Sequence, residues 1–149
     1  MDRVRRLGYG WRDTQNVDRG DGLANVLILI SIVAAIVFAG LADRHGAAVR
    51  KALQPFLPIE LRGLRLTRLD NWVWNPLVPV QAKWNYVLCV IYGCVGGALL
   101  TLAFVVGRWD GPALFTGICT AAGIIQATVS SVKYRRAAAF ASAKGDSPQ

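Results

Sequence analysis

The chain has 149 residues, room for one domain at most. Hydrophobic residues make up 54% of it and charged ones 17%; the apolar residues are bunched into bilayer-length runs rather than amphipathic stripes, which argues against an ordinary soluble domain. The 17 Lys+Arg against 9 Asp+Glu give a net charge of +8, but these cations flank apolar runs, so anionic lipid headgroups, not nucleic acid, are the expected partner.

Residues 1–22 form a polar, glycine-rich N-terminal tail in which five arginines sit among four aspartates. The acids are unlike a mitochondrial presequence, and the tail lacks the short apolar stretch of a secretory signal, so targeting is expected from the internal spans. Residues 23–42, LANVLILISIVAAIVFAGLA, are uncharged and long enough as a helix to cross a bilayer. Ser31, Ala35 and Ala39 recur at four-residue intervals and make a narrow small-residue stripe along this first span.

Residues 43–85 are a long, basic connection rich in tryptophan and proline. From Gly46 to Leu57 a helical wheel puts Ala48, Val49, Ala52, Leu53, Phe56 and Leu57 on one face, opposite Arg50, Lys51 and Gln54. That pattern predicts a separate amphipathic helix lying in the interface plane, the alternative being a first span that continues to about Gln54. Arg62, Arg65 and Arg68 overlap Leu61 and Leu69 on a wheel, so no clean element is predicted there. Trp72, Trp74 and Trp84 then surround Pro76 and Pro79, and tryptophan favours the headgroup level while proline forbids a regular helix. This stretch is expected to skim the membrane surface.

A second span is predicted at 86–106 and a third at 112–132, joined by GRWDG and therefore an antiparallel hairpin. Asp110 or Gly111 is expected to cap the third helix, with Pro112 in its first turn. Residues 133–149 are a basic C-terminal tail. Membrane helices associate through small residues. Counting outward from the hairpin turn sets Gly97 level with Ala121, Gly93 with Ile125 and Gly117 with Thr101, which makes Gly93, Gly97, Gly117 and Ala121 the expected helix-packing residues.

The sequence carries no catalytic or metal constellation. No Asp, Glu, Lys, Arg or His falls in the three spans, whereas transport and redox pathways usually need an intramembrane charge. Asn25 and Gln126 read as interhelical hydrogen bonders, and Cys89, Cys94 and Cys119 as small packing residues. His45, the one histidine, stands beside Asp43 with no nucleophile or second ligand in view. The expected architecture is an all-α integral membrane protein with three transmembrane helices plus the interfacial segment. With three spans, the connection and tail share one side, with 11 Lys/Arg and 4 acids, against 6 and 5 on the other. The positive-inside rule then puts the N-terminus outside, or on the intermembrane-space side in a mitochondrion.

The expected role is that of a non-catalytic accessory subunit of a large energy-transducing complex, a respiratory-chain complex or ATP synthase. The expected place is the mitochondrial inner membrane, with a bacterial plasma membrane as the alternative. Its expected partners are other subunits and anionic lipid, cardiolipin in particular, held by Arg50, Lys51, Arg62, Arg65, Arg68, Trp72, Trp74, Lys83 and Trp84. No other cofactor is expected. The rival roles are a homo-oligomeric small transporter or channel and a stand-alone membrane assembly factor.

Overall fold

In the computed structural model of the chain, residues 10–59 and 70–145 are described, the side chains of 10–21 and 144–145 excepted. They form three long helices: α1 at Gly10–Leu53, α3 at Val80–Val106 and α4 at Asp110–Gly145. A 3₁₀ turn at Gln54–Phe56 follows α1, and a single-turn helix, α2 at Asp70–Val73, precedes α3. Each long helix contains a stretch long and apolar enough to cross a membrane.

The central helix is α3, which packs against α1 on one side and α4 on the other. Its register against α1 is antiparallel and steady along the length. A Cβ on Gly107 would lie 3.6 Å from Ile28, one on Gly96 would lie 3.3 Å from the Ala35 carbonyl, and His45 bonds Asn85 at 3.1 Å. The small-residue stripe of α1 is therefore the surface that Gly96 approaches. Ser31 and Ala35 are buried there, while Leu27, Leu29, Ile30, Val33 and Ile36 point away from the bundle. Large residues outward and small ones inward is the arrangement of helices that meet in lipid, where burying leucine gains nothing over leaving it in hydrocarbon.

Interlocking continues between α3 and α4. A Cβ on Gly97 would lie 2.7 Å from Thr120 Oγ1, one on Gly123 would lie 2.8 Å from Cys94 Sγ, and one on Gly117 would lie 3.7 Å from Thr101 Cγ2. Bumps on either helix thus fill glycine gaps on the other. The expected partnership of Gly97 with Ala121 is displaced by one residue, because Thr120 occupies the gap and Ala121 faces outward. Gly93 has nothing within 4 Å of a Cβ position.

The α3–α4 link is shorter than its sequence suggests. Arg108 adopts φ 57°, the left-handed conformation that closes a helix C-terminus. Trp109 N–H then donates to the Phe104 carbonyl at 2.9 Å and Arg108 N–H to Val105 at 3.1 Å. The Phe104 and Trp109 rings meet at 5.6 Å, the apolar clasp that accompanies this type of cap. Helix α4 starts at Asp110 and carries Pro112 in its first turn, where the missing N–H costs no bond.

Residues 46–57 depart from the expectation of a separate interfacial helix. Nothing breaks the helix between Ala42 and Gly46, so α1 runs on to Leu53, and Pro55 limits the next three residues to a 3₁₀ turn. Most of the predicted apolar face is covered by protein, with Ala48 left exposed. Val49, Leu53 and Leu57 are buried with Val73, Val78, Ala82 and Tyr86, flanked by Phe56, Trp72 and Trp74. This cluster is built of large side chains, as expected where water supplies the driving force, and it caps one end of the three-helix bundle.

Candidate functional site

The capped end is also where the apolar runs of the three helices stop, and side-chain contacts hold those three boundaries together. On α1 the run ends at Asp43, and Arg50 pairs with that carboxylate at 3.4 Å. His45 Nδ1 lies 3.1 Å from Asn85 Oδ1 of α3, with its ring 5.5 Å from that of Tyr92. Trp84 of α3 meets Tyr134 of α4 at 5.1 Å between ring centres. One level thus collects Asp43 and His45, Lys83 to Asn85, and Lys133 to Arg136, the composition of a membrane–water boundary.

Asp70 organises the next layer. Its carboxylate accepts from Trp74 Nε1 at 3.2 Å and faces Lys133 Nζ at 3.9 Å. The Lys133 ammonium also lies 5.6 Å from the centre of the Trp74 ring, within cation–π range. Trp74 stands edge-on to Tyr86 at 6.0 Å, and the Tyr86 hydroxyl accepts from Gln126 Nε2 at 3.3 Å. These contacts tie α2, α3 and α4 together at a point where the sequence suggests only a surface-skimming loop. The signal in the sequence is the Asp70–Trp74 spacing of four, which fits one helical turn, with Pro76 two residues further on limiting its extension.

Two hollows flank this cluster. One, of about 580 Å³, lies between α3 and α4 and is lined by Gly93, Cys94, Gly97, Thr120, Gly123 and Gln126, with Asp70, Tyr86 and Cys89 at one end. The other, of about 630 Å³, lies between the Trp74–Val80 segment and the last turns of α4; Lys83, Lys133 and Arg136 line it.

The residues expected to hold lipid are distributed unevenly over this end. Arg50 and Lys51 are exposed, and Trp84 is partly so. Trp72 and Trp74 pack against the buried cluster and are only half open. Lys83, expected on the surface, is buried as a residue and lines the hollow between the Trp74–Val80 segment and α4. Arg62, Arg65 and Arg68 lie outside the described residues. Of the polar residues in the spans, Gln126 reaches across to α3, whereas Asn25 is exposed. The hydroxyls of Thr101, Thr116, Thr120 and Thr128 return to carbonyls of their own helices. Ser130 Oγ is sealed without a partner among the described residues. No three His, Cys, Asp or Glu side chains converge as a metal site among the described residues.

Comparison with protein-family models, curated proteins and solved structures finds no match.

Proposed function

We propose that this chain is a non-catalytic accessory subunit embedded in a larger membrane complex, lending it helix surface and anionic-lipid contacts. The observation that carries this reading is the reach of its helices beyond their own partners. Helix α1 is 44 residues long, about 66 Å of rise, against about 30 Å of hydrocarbon. The α3–α4 turn meets α1 at Ile28, so the helix from Gly10 onward extends about 27 Å past that turn. An isolated helix of that length is marginal in water, and a neighbouring subunit would supply what holds it. The broad outward apolar surface of the spans suits the same surroundings.

The setting we assign is an energy-transducing complex, a respiratory-chain complex or ATP synthase, in the mitochondrial inner membrane. What supports it is the basic end of the bundle, which suits a bilayer rich in anionic lipid. Blue-native electrophoresis after mild detergent extraction, with mass spectrometry of the band, tests the role. Comigration with a complex of many hundreds of kilodaltons is expected, together with loss of that complex when the chain is depleted. Migration as a discrete small oligomer would favour a homo-oligomeric transporter instead. His45→Gln with Asp43→Asn is expected to leave turnover per assembled complex unchanged. An assembled but inactive complex would place chemistry at that pair and overturn the reading.

A further inference from the structure

We propose that the basic hollow between the Trp74–Val80 segment and the end of α4 is a built site for the headgroup of an anionic phospholipid. The proposal rests on reading the three long helices as membrane spans; it deepens the lipid role assigned above and does not depend on which complex the chain enters. Its central residue is Lys83, which is only 4% exposed and lines the hollow. No hydrogen bond or ion pair engages its ammonium among the described residues. Its stem is covered while the ammonium opens on the hollow with no counter-charge among those residues, so an anion there would gain a charge-assisted partner.

The surroundings specify what kind of anion. Lys133 and Arg136 line the same hollow. Lys133 is shared with Asp70 at 3.9 Å, which offsets one of the three positive charges. Lys83 and Arg136 are left to face the occupant. Val80 opens α3 at the edge of the hollow, so the helix N-terminus adds a favourable dipole for negative charge. The rest of the lining is apolar: Trp74, Val78 and Phe140. Phe140 is 77% exposed, a large apolar surface in want of cover.

Cations and apolar side chains lining one hollow match a phosphodiester attached to glycerol and acyl chains better than a free, fully hydrated phosphate. Depth agrees with this. The hollow adjoins the level fixed by the Trp84–Tyr134 contact, where the uncharged runs of α3 and α4 end in the sequence and headgroups would lie. At about 630 Å³ it has the size of a small-ligand site.

The full chain, purified in mild detergent, is incubated with mixed micelles of phosphatidylcholine and phosphatidylglycerol, and retained lipid is counted by native mass spectrometry. Wild type is expected to retain phosphatidylglycerol over phosphatidylcholine. Since one basic residue near an anionic surface contributes about 1 kcal/mol, Arg136→Gln should weaken retention roughly fivefold. Arg136 is exposed, so this variant leaves the fold intact; Lys83→Gln should lose at least as much. Arg44→Gln, an exposed cation outside the hollow, should retain lipid as wild type does. Undiminished retention by Arg136→Gln and Lys83→Gln, or an equal loss in Arg44→Gln, would overturn the proposal. So would displacement by inorganic phosphate at matched ionic strength, which would make the hollow a soluble-anion site. Release of the chain from membranes by alkaline carbonate would remove the membrane reading itself, and failure to comigrate with a complex would remove only the subunit role.

Discussion

Gly97 and Gly93 stand one turn apart on α3, and their surroundings differ. A Cβ at Gly97 would meet Thr120 Oγ1 at 2.7 Å, and that hydroxyl is already committed to the Thr116 carbonyl at 2.8 Å. A Cβ at Gly93 meets nothing within 4 Å. Gly97→Leu must therefore push α4 away, at a cost of about 1–3 kcal/mol by overpacking. Gly93→Ala is expected to be neutral or stabilising by up to about 1 kcal/mol, since alanine loses less chain entropy in a helix. Thermal midpoints of the two variants in one detergent check the contrast. Equal tolerance would show that the α3–α4 interlock is not a packing surface. The two glycines form one GxxxG pattern and are alike in sequence; only the position of Thr120 separates them.

At the scale of elements, the same helix obeys two rules along its length. Between Leu23 and Ala42, α1 buries small residues and turns large ones outward; between Val49 and Leu53 it buries the large ones. Leu53 is fully buried, in the cluster with Val73 and Val78. Leu53→Ala is expected to cost about 2–5 kcal/mol through lost burial and the cavity left behind. Leu29 is 63% exposed on the outer face of the first span, and Leu29→Ala should fall within about 0.5 kcal/mol. Denaturant or thermal titration in micelles compares them. A Leu29→Ala as damaging as Leu53→Ala would mean that the outer face of α1 is packed by the chain itself rather than by lipid or a neighbour.

For the whole molecule, alternation of three antiparallel helices puts the end of α1, the start of α3 and the end of α4 together. Of the described basic residues of the connection and tail, Arg44, Arg50, Lys51, Lys83, Lys133, Arg135 and Arg136 thus lie at one end, and the sequence count of 11 Lys/Arg against 6 makes that face the more basic one. That face is expected on the cytoplasmic or matrix side, with the N-terminus opposite. Protease added to sealed vesicles should cleave the N-terminal tail and the 43–85 connection from opposite sides. Cleavage of both from the same side would remove the three-span arrangement and with it the single basic face. The boundary ring of Asp43, His45, Asn85, Trp84 and Tyr134 would then need another explanation.

Three helices, their apolar stretches, the tight α3–α4 hairpin and the small-residue stripe on α1 are legible in the sequence, because each rests on local composition and on short connections that leave the chain little choice. So is the level of Gly117 with Thr101, since counting from a tight turn fixes height along antiparallel helices. Rotation about the helix axis is not fixed by counting, which is why Thr120 and not Ala121 meets Gly97, and why nothing in the sequence marks Gly123 as the partner of Cys94. The amphipathic face at 46–57 is plain in the periodicity, but periodicity records that a face must be covered and is silent on whether lipid or protein covers it. Tertiary structure decided that, by folding Val73, Val78 and Tyr86 back over Leu53. It also joined Asp70 to Lys133 and set Lys83 and Arg136 in the lining of one hollow, residues separated by 63 and 53 positions in the chain. The interaction between charges depends on distance in space and not along the chain, and only the antiparallel return of α4 along α3 brings these residues to one end of the molecule.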